Sequence, residues 1–117
     1  MLKIEKREEN GILIFELEGQ IDGGPESQKL QEIIKNALKE GKKHSVLDMK
    51  GVTWINSLGA GVLIATYASV KREDGLIAMV GISDRARVVL KTCGLIPAVF
   101  EEYDSVEEAV EEIKESK

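Results

Sequence analysis

Three short apolar runs, Ile12 to Leu17, Ser45 to Met49 and Leu76 to Val80, alternate with longer stretches whose apolar residues recur at helical spacing. This alternation limits the fold more than any other feature. A buried strand, an amphipathic helix and a second buried strand make a βαβ crossover, and repeated crossovers make a largely parallel sheet covered by helices. A further strand over Lys3 to Arg7 precedes the first run. Asn10-Gly11 lies between the two, and both residues accept positive φ, so the sheet is expected to open with an antiparallel hairpin.

The helices are marked by their ends. Glu18 to Pro25 reads as a loop carrying Gly19, Gly23 and Gly24, and Pro25 suits the first turn of a helix because its missing N–H is no loss there. That helix turns Leu30, Ile33, Ile34, Ala37 and Leu38 to one face and stops at Gly41. Gly51 to Asn56 reads as a connection containing Trp54 and Ile55. Ser57 then stands where an N-cap is expected, opening a second helix to about Arg72. Leu58, Val62, Leu63, Ala65, Thr66 and Val70 make this helix apolar nearly all round, so it is expected to be largely buried. Asp74-Gly75 reads as a turn. Ser83 caps a third helix with Val88, Val89 and Leu90, which Gly94 ends. Val99-Phe100 is the expected last strand. Ser105-Val106-Glu107-Glu108 is a capping box opening a terminal helix with Val106, Ala109, Val110 and Ile113 inward, and the acidic stretch Glu107 to Lys117 is its surface. The expected fold is α/β, one domain over residues 1–117, with a mixed, mostly parallel sheet of four to five strands, an N-terminal hairpin and about four helices.

Composition removes several function classes. Lys and Arg number 16 against 21 Asp and Glu, a net charge of -5, which argues against nucleic acid, since phosphate contacts need clustered cations. Cys93 is the single cysteine, so a reducing, cytoplasmic setting is expected. No signal-like N-terminus is present, and no apolar run is long enough to span a bilayer, so no membrane insertion is expected. His44 is the single histidine. That removes most metal sites and every Ser-His-Asp or Cys-His arrangement, and the scattered acids assemble no catalytic set, so the chain is read as neither enzyme nor cofactor protein.

Individual residues carry dull and functional readings side by side. Gly59-Ala60-Gly61 follows a strand and opens a helix like a dinucleotide fingerprint, but Ile64 stands in place of its third glycine and no acidic residue ends the next strand. Asp48 ends a parallel strand, where catalytic carboxylates occur in open sheets, yet its one nearby partner is Lys50, so it is read as a loop cap. Trp54 is read as packed over the sheet, with a role as a binding anchor the alternative. Arg85 and Arg87, near the start of the third helix, are either a solvated face or cations for an acidic partner. Cys93 is read as a small buried side chain, and the chain as a monomer because helices cover the sheet, with a dimer through an edge strand the alternative.

The stretch from Val46-Leu47-Asp48 through Trp54-Ile55-Asn56-Ser57-Leu58-Gly59-Ala60-Gly61 to Leu63 resembles the signature of the STAS family: a strand ending in aspartate, an apolar–Asp–Ser–Ser/Thr/Ala–Gly–Leu–Gly core, then a helix. Gly19-Gln20-Ile21-Asp22 resembles the segment before that family's first helix, and Cys93-Gly94-Leu95 through Ala109 its usual ending. The resemblance is closest to anti-sigma factor antagonists. It implies a regulatory module that binds an anti-sigma factor with serine kinase activity and that phosphorylation in this loop releases. Asn56 stands at the family's usual aspartate and Leu58 at its second hydroxyl position, leaving Ser57 as the candidate phosphate acceptor. The candidate partner-binding residues are Asp22, Asn56, Ser57, Leu58, Gly59, Ala60 and Gly61. Two uses of the loop follow. Ser57 at a helix start accepts phosphate, favoured there by free N–H groups and partial positive charge. Alternatively, Leu58 is an exposed apolar contact of an unswitched binding module, unless it faces the core with Val62 and Ala65.

Overall fold

The computed structural model describes residues 2–116. Five strands and four helices follow in the order β1 (Leu2–Glu9), β2 (Ile12–Ile21), α1 (Pro25–Lys39), β3 (His44–Ile55), α2 (Ser57–Arg72), β4 (Ile77–Val80), α3 (Asp84–Thr92), β5 (Glu101–Tyr103) and α4 (Val106–Ser116). The strands lie side by side in sequence order. β1 is antiparallel to β2, and every later pair is parallel.

Asn10 and Gly11 close the hairpin with φ of 54° and 78°, and Glu9 pairs with Ile12. Both central residues of a two-residue turn must be left-handed for its twist to match the strands. Because the parallel strands advance across the sheet in one direction, right-handed crossovers carry α1, α2 and α3 to the same face. The side chains agree. Leu13, Phe15, Leu47, Met49 and Met79 form one core with Leu30, Ile34, Leu63 and Leu90 of those helices. The alternate residues Ile12, Ile14, Val46, Ala78 and Val80 form a second core under α4 alone, against Val106, Ala109, Val110 and Ile113. One helix cannot cover five strands. Beyond α4 the same face of β1, β2 and β3 therefore carries Glu5, Glu16, Glu18 and Lys50 instead of apolar residues.

Five expectations are corrected. The segment Glu18 to Ile21 is strand, not loop, and the segment Gly51 to Ile55 is strand, not connection. The two extend each other: Glu18 pairs with Gly51 and Ile21 with Ile55, with register shifts at Glu16/Glu18 and Gly19/Gln20. A Cβ on Gly51 would come within 2.7 Å of the Leu17 carbonyl oxygen, so glycine is what lets the irregular ladder close. Val99 and Phe100 lie in a turn, with both N–H groups donating to the Leu95 carbonyl. The last strand is the polar Glu101–Tyr103, whose backbone pairs with Ala78 to Val80. Cys93 is exposed. The chain reverses at Gly94, φ 74°, and Leu95 turns into the core after its N–H bonds back to Leu90. Trp54 is 39% exposed, at the sheet's rim rather than packed over it.

The expected caps at Ser83 and Ser105 are present: Ser83 Oγ accepts from Ala86 N at 3.2 Å, and Ser105 Oγ from Glu108 N at 3.1 Å. His44 is buried, and its Nδ1 accepts from Leu76 N at 3.1 Å. That fixes Nε2 as the protonated nitrogen of the neutral ring and ties the starts of β3 and β4 together.

Candidate functional site

Two connections meet at the C-terminal ends of β2 and β3. One is Asp22-Gly23-Gly24 between β2 and α1, and the other is Asn56-Ser57 between β3 and α2. Asn56 N donates to the Ile21 carbonyl at 3.3 Å. A Cβ on Gly59 would lie 1.9 Å from that same oxygen, and a Cβ on Gly23, φ 84°, would lie 2.5 Å from the Leu58 Cβ. Glycines at both contact points thus let the first loop press directly against the first turn of α2.

The first loop is organised by its own side chains. Asp22 Oδ1 accepts from Gly24 N at 2.9 Å, and the buried Ser27 Oγ accepts from Asp22 N and Gly23 N at 3.1 and 3.2 Å. Asp22 is therefore committed to holding its own turn. It stands beside the second loop without bonding Ser57.

The second loop corrects the expectation for Ser57. The N-cap of α2 is Asn56, with φ -113° and ψ -179°, and its Oδ1 accepts from Gly59 N at 2.8 Å. Ala60 N donates to the Asn56 carbonyl at 2.9 Å. Asn and Asp cap helices equally well, so the amide performs the structural task of a carboxylate at this position. Ser57 becomes the first residue of the helix. It is exposed, and its hydroxyl has no hydrogen-bond partner among the described residues. From this geometry, Asn56→Ala is expected to lower stability by about 1 kcal/mol, while Asn56→Asp leaves it within about 0.5 kcal/mol. Urea denaturation of the two variants measures the difference. Equal losses in both would mean that Asn56 is no cap.

Leu58 is 72% exposed. Its alternative place in the core is thereby excluded, although it shares α2 with the buried Leu63, Thr66 and Val70. The expected partner-binding residues divide. Ser57, Leu58 and Gly61 face solvent, Asp22 and Asn56 are half-buried, and Gly59 and Ala60 are buried, Gly59 against the end of β2. The last two shape the loop and offer no surface of their own. Sequence reasoning passed over Ile64, which is 46% exposed two turns further along the same helix. The signal was its occupation of the third-glycine position, where a large apolar residue on an outer face stands out.

Asp48 is buried. Its Oδ1 accepts from Lys50 N at 3.1 Å and its Oδ2 lies 3.6 Å from Lys50 Nζ, so it caps the irregular part of β3 as expected. Arg87 turns away from the loops and forks onto Glu102 of β5, with Nη1 2.7 Å from Oε1. Hydrogen bonding and the opposite charge raise the Arg87 pKa and hold Glu102 below the usual glutamate range. Tyr103 donates to Glu101, which pushes the phenol up to about 12. Arg85 stays exposed. Among the described residues no helix is long and apolar enough to cross a membrane, and no group of three His, Cys, Asp or Glu side chains converges.

Comparison with known proteins agrees with this arrangement. The family model of the STAS domain matches residues 3–109. The chain is 24% identical over 113 residues to the anti-sigma F factor antagonist of Paenibacillus polymyxa, covering 97% of this chain and 96% of that protein. In three dimensions it is similar to a putative anti-sigma factor antagonist of Thermotoga maritima, with a TM-score of 0.83, 21% identity, and 95% and 94% of the two chains covered. It is also similar to the anti-sigma factor antagonist SpoIIAA in its unphosphorylated form, with a TM-score of 0.83, 16% identity and 97% of each chain covered. For the phosphorylated form of the Bacillus protein the TM-score is 0.74 at 17% identity, with 95% and 99% covered. The chain therefore belongs to the STAS domain family, and these relatives within it are non-enzymatic regulators of the anti-sigma factor antagonist type.

Proposed function

We propose that this protein is a cytoplasmic, monomeric anti-sigma factor antagonist. It binds an anti-sigma factor with serine kinase activity through Ser57, Leu58 and Gly61, and phosphate on Ser57 releases it. The observation that carries this reading is the division of labour at the start of α2. Asn56 takes the cap, so Ser57 keeps an exposed hydroxyl free of structural duty beside an exposed leucine. The backbone N–H groups of the first turn and the positive end of the helix favour an anion at that hydroxyl. A phosphate brings about −1.5 to −2 charges at neutral pH, enough to expel an apolar partner surface from Leu58.

The exposure of Leu58 favours a second reading as well, in which the same patch binds a protein without being switched. One experiment separates them. The protein is mixed with each kinase-type anti-sigma factor encoded in its source genome, with and without ATP; binding is measured by calorimetry and phosphate is mapped by mass spectrometry. The proposal expects binding, Ser57 as the modified residue, and affinity at least about tenfold weaker for both Ser57→Glu and Leu58→Asp. Binding that survives ATP with Ser57 unmodified selects the unswitched module. If no anti-sigma factor binds, the proposal fails.

A further inference from the structure

Charge is distributed unevenly between the two sides of the sheet. Helices α1, α2 and α3 together carry eight Lys and Arg against three Asp and Glu. Helix α4, on the other side, carries five Glu against one Lys. A chain with net charge -5 thus presents a net positive helical face. α2 and α3 contribute equally to this contrast: α2 has Lys71 and Arg72 as its only charged residues, and α3 has Arg85, Arg87 and Lys91 against Asp84.

The same face holds unusual apolar exposure. Leu58 is 72%, Ile64 46% and Val88 65% exposed, and they occupy α2 and the neighbouring α3. Gly61 and Ala68, also exposed, lie between the larger side chains of α2, so the helix surface is low there. Cations border this apolar strip on both flanks. On the α1 side, a groove of about 260 Å³ is lined by Lys35, Leu38, Lys39, Ser69, Arg72 and Glu73. On the α3 side stands Arg85. Lys35, Arg72 and Arg85 form no salt bridge among the described residues, whereas Arg87 on the far side of α3 is already neutralised by Glu102.

We infer that the outer face of α2 and α3 docks a protein surface with an apolar centre and a carboxylate rim, such as an acidic amphipathic helix. Burial of the leucine, isoleucine and valine supplies affinity, and the carboxylates meet Lys35, Arg72 and Arg85, which sets orientation and rejects basic surfaces. A second copy of this chain fits poorly. Its acidic α4 face has the right charge, but Val106, Ala109, Val110 and Ile113 are all buried, so it has no apolar centre to offer. The inference rests on the binding role proposed above and extends that contact from the Ser57 loop along the helix face.

The test uses two synthetic helical peptides with the same leucine stripe, one rimmed by glutamate and one by lysine, titrated into isotopically labelled protein by NMR. The glutamate-rimmed peptide is expected to shift amide signals of α2 and α3. Its affinity should fall at least about tenfold in the triple variant Lys35→Glu, Arg72→Glu, Arg85→Glu, and by a similar factor in high salt. All three residues are exposed, and a native circular dichroism spectrum checks that the variant folds. Equal binding of the lysine-rimmed peptide, shifts confined to α4 or the open sheet, or no shift at millimolar peptide overturns the inference. So does co-sedimentation with vesicles of anionic phospholipid in preference to the peptide, or self-association that the triple variant abolishes. Should Leu58→Asp leave anti-sigma factor binding intact while the acidic peptide still marks α2 and α3, the loop reading fails and this one stands. The reverse pattern removes this inference alone.

Discussion

Gly59→Ala is expected to destabilise the protein by about 3 kcal/mol, roughly 10 °C in Tm for a chain of this length. The added methyl would sit 1.9 Å from the Ile21 carbonyl oxygen and 2.6 Å from its carbon. Both are backbone atoms of β2, so no flexible side chain can move aside. Relief requires α2 to lift from the end of β2, which would break the Asn56 N to Ile21 carbonyl bond and displace Ser57 and Leu58 together. Gly61, two residues along the same helix, has open space around its added Cβ. There Gly61→Ala is expected to raise stability by about 0.8–1 kcal/mol, the difference in helix propensity. Thermal unfolding of the two variants decides the matter. If both raise Tm, the loops are not in the contact described. Gly61→Ala has a second readout, because a methyl on the low part of the α2 surface is expected to weaken partner binding while stabilising the fold.

Phe100→Ala is expected to cost about 3–5 kcal/mol, the range for truncating a buried aromatic side chain. Phe100 is fully buried and meets the Tyr67 ring edge-on, with centroids 5.4 Å apart. It anchors the turn between α3 and β5, where Leu95, Ile96 and Phe100 enter the core without regular secondary structure. Losing it leaves a cavity beneath α2 and also frees the short, polar β5, whose three residues hold on β4 largely by backbone pairing. Chemical denaturation of Phe100→Ala, Tyr67→Leu and the double variant measures the cost and the coupling. A coupling of about 0.5–1.5 kcal/mol is expected for the edge-on pair. A loss below about 1 kcal/mol for Phe100→Ala would show that the turn is not a structural anchor.

Local chemistry was readable wherever the signal lay within a few residues. Asn10-Gly11, Pro25, Ser83 and Ser105 each mark a turn or helix start by bonding or torsional needs met nearby, and the structure places each as expected. The long halves of β2 and β3 were not readable. Glu18, Gly19, Gly51 and Thr53 lack the alternation of a strand, and the pairing that makes this stretch of β2 a strand comes from other strands, with Glu18 and Gly19 set between Lys3 and Leu2 of β1 and Gly51 and Val52 of β3. The candidate site divides along the same line. Its place after a strand and at the start of α2 was legible in residues 46 to 63. That Asn56 and not Ser57 would cap the helix was not, because both residue types suit the position and the chain's entry from β3 decides between them.

The apolar periodicities by themselves determined an α/β chain with a hairpin edge, because a strand period and a helix period cannot be exchanged without exposing the core. Which way each helix would be covered was decided only by the tertiary structure. A helix apolar nearly all round reads as buried, yet α2 has one sheet beneath it and one helix on each side, so a fourth face remains. Leu58 and Ile64 fall on that face. Their exposure, like the opposite charges on the two sides of the sheet, follows from strands laid down in sequence order, which sends three helices to one face and leaves the acidic α4 on the other.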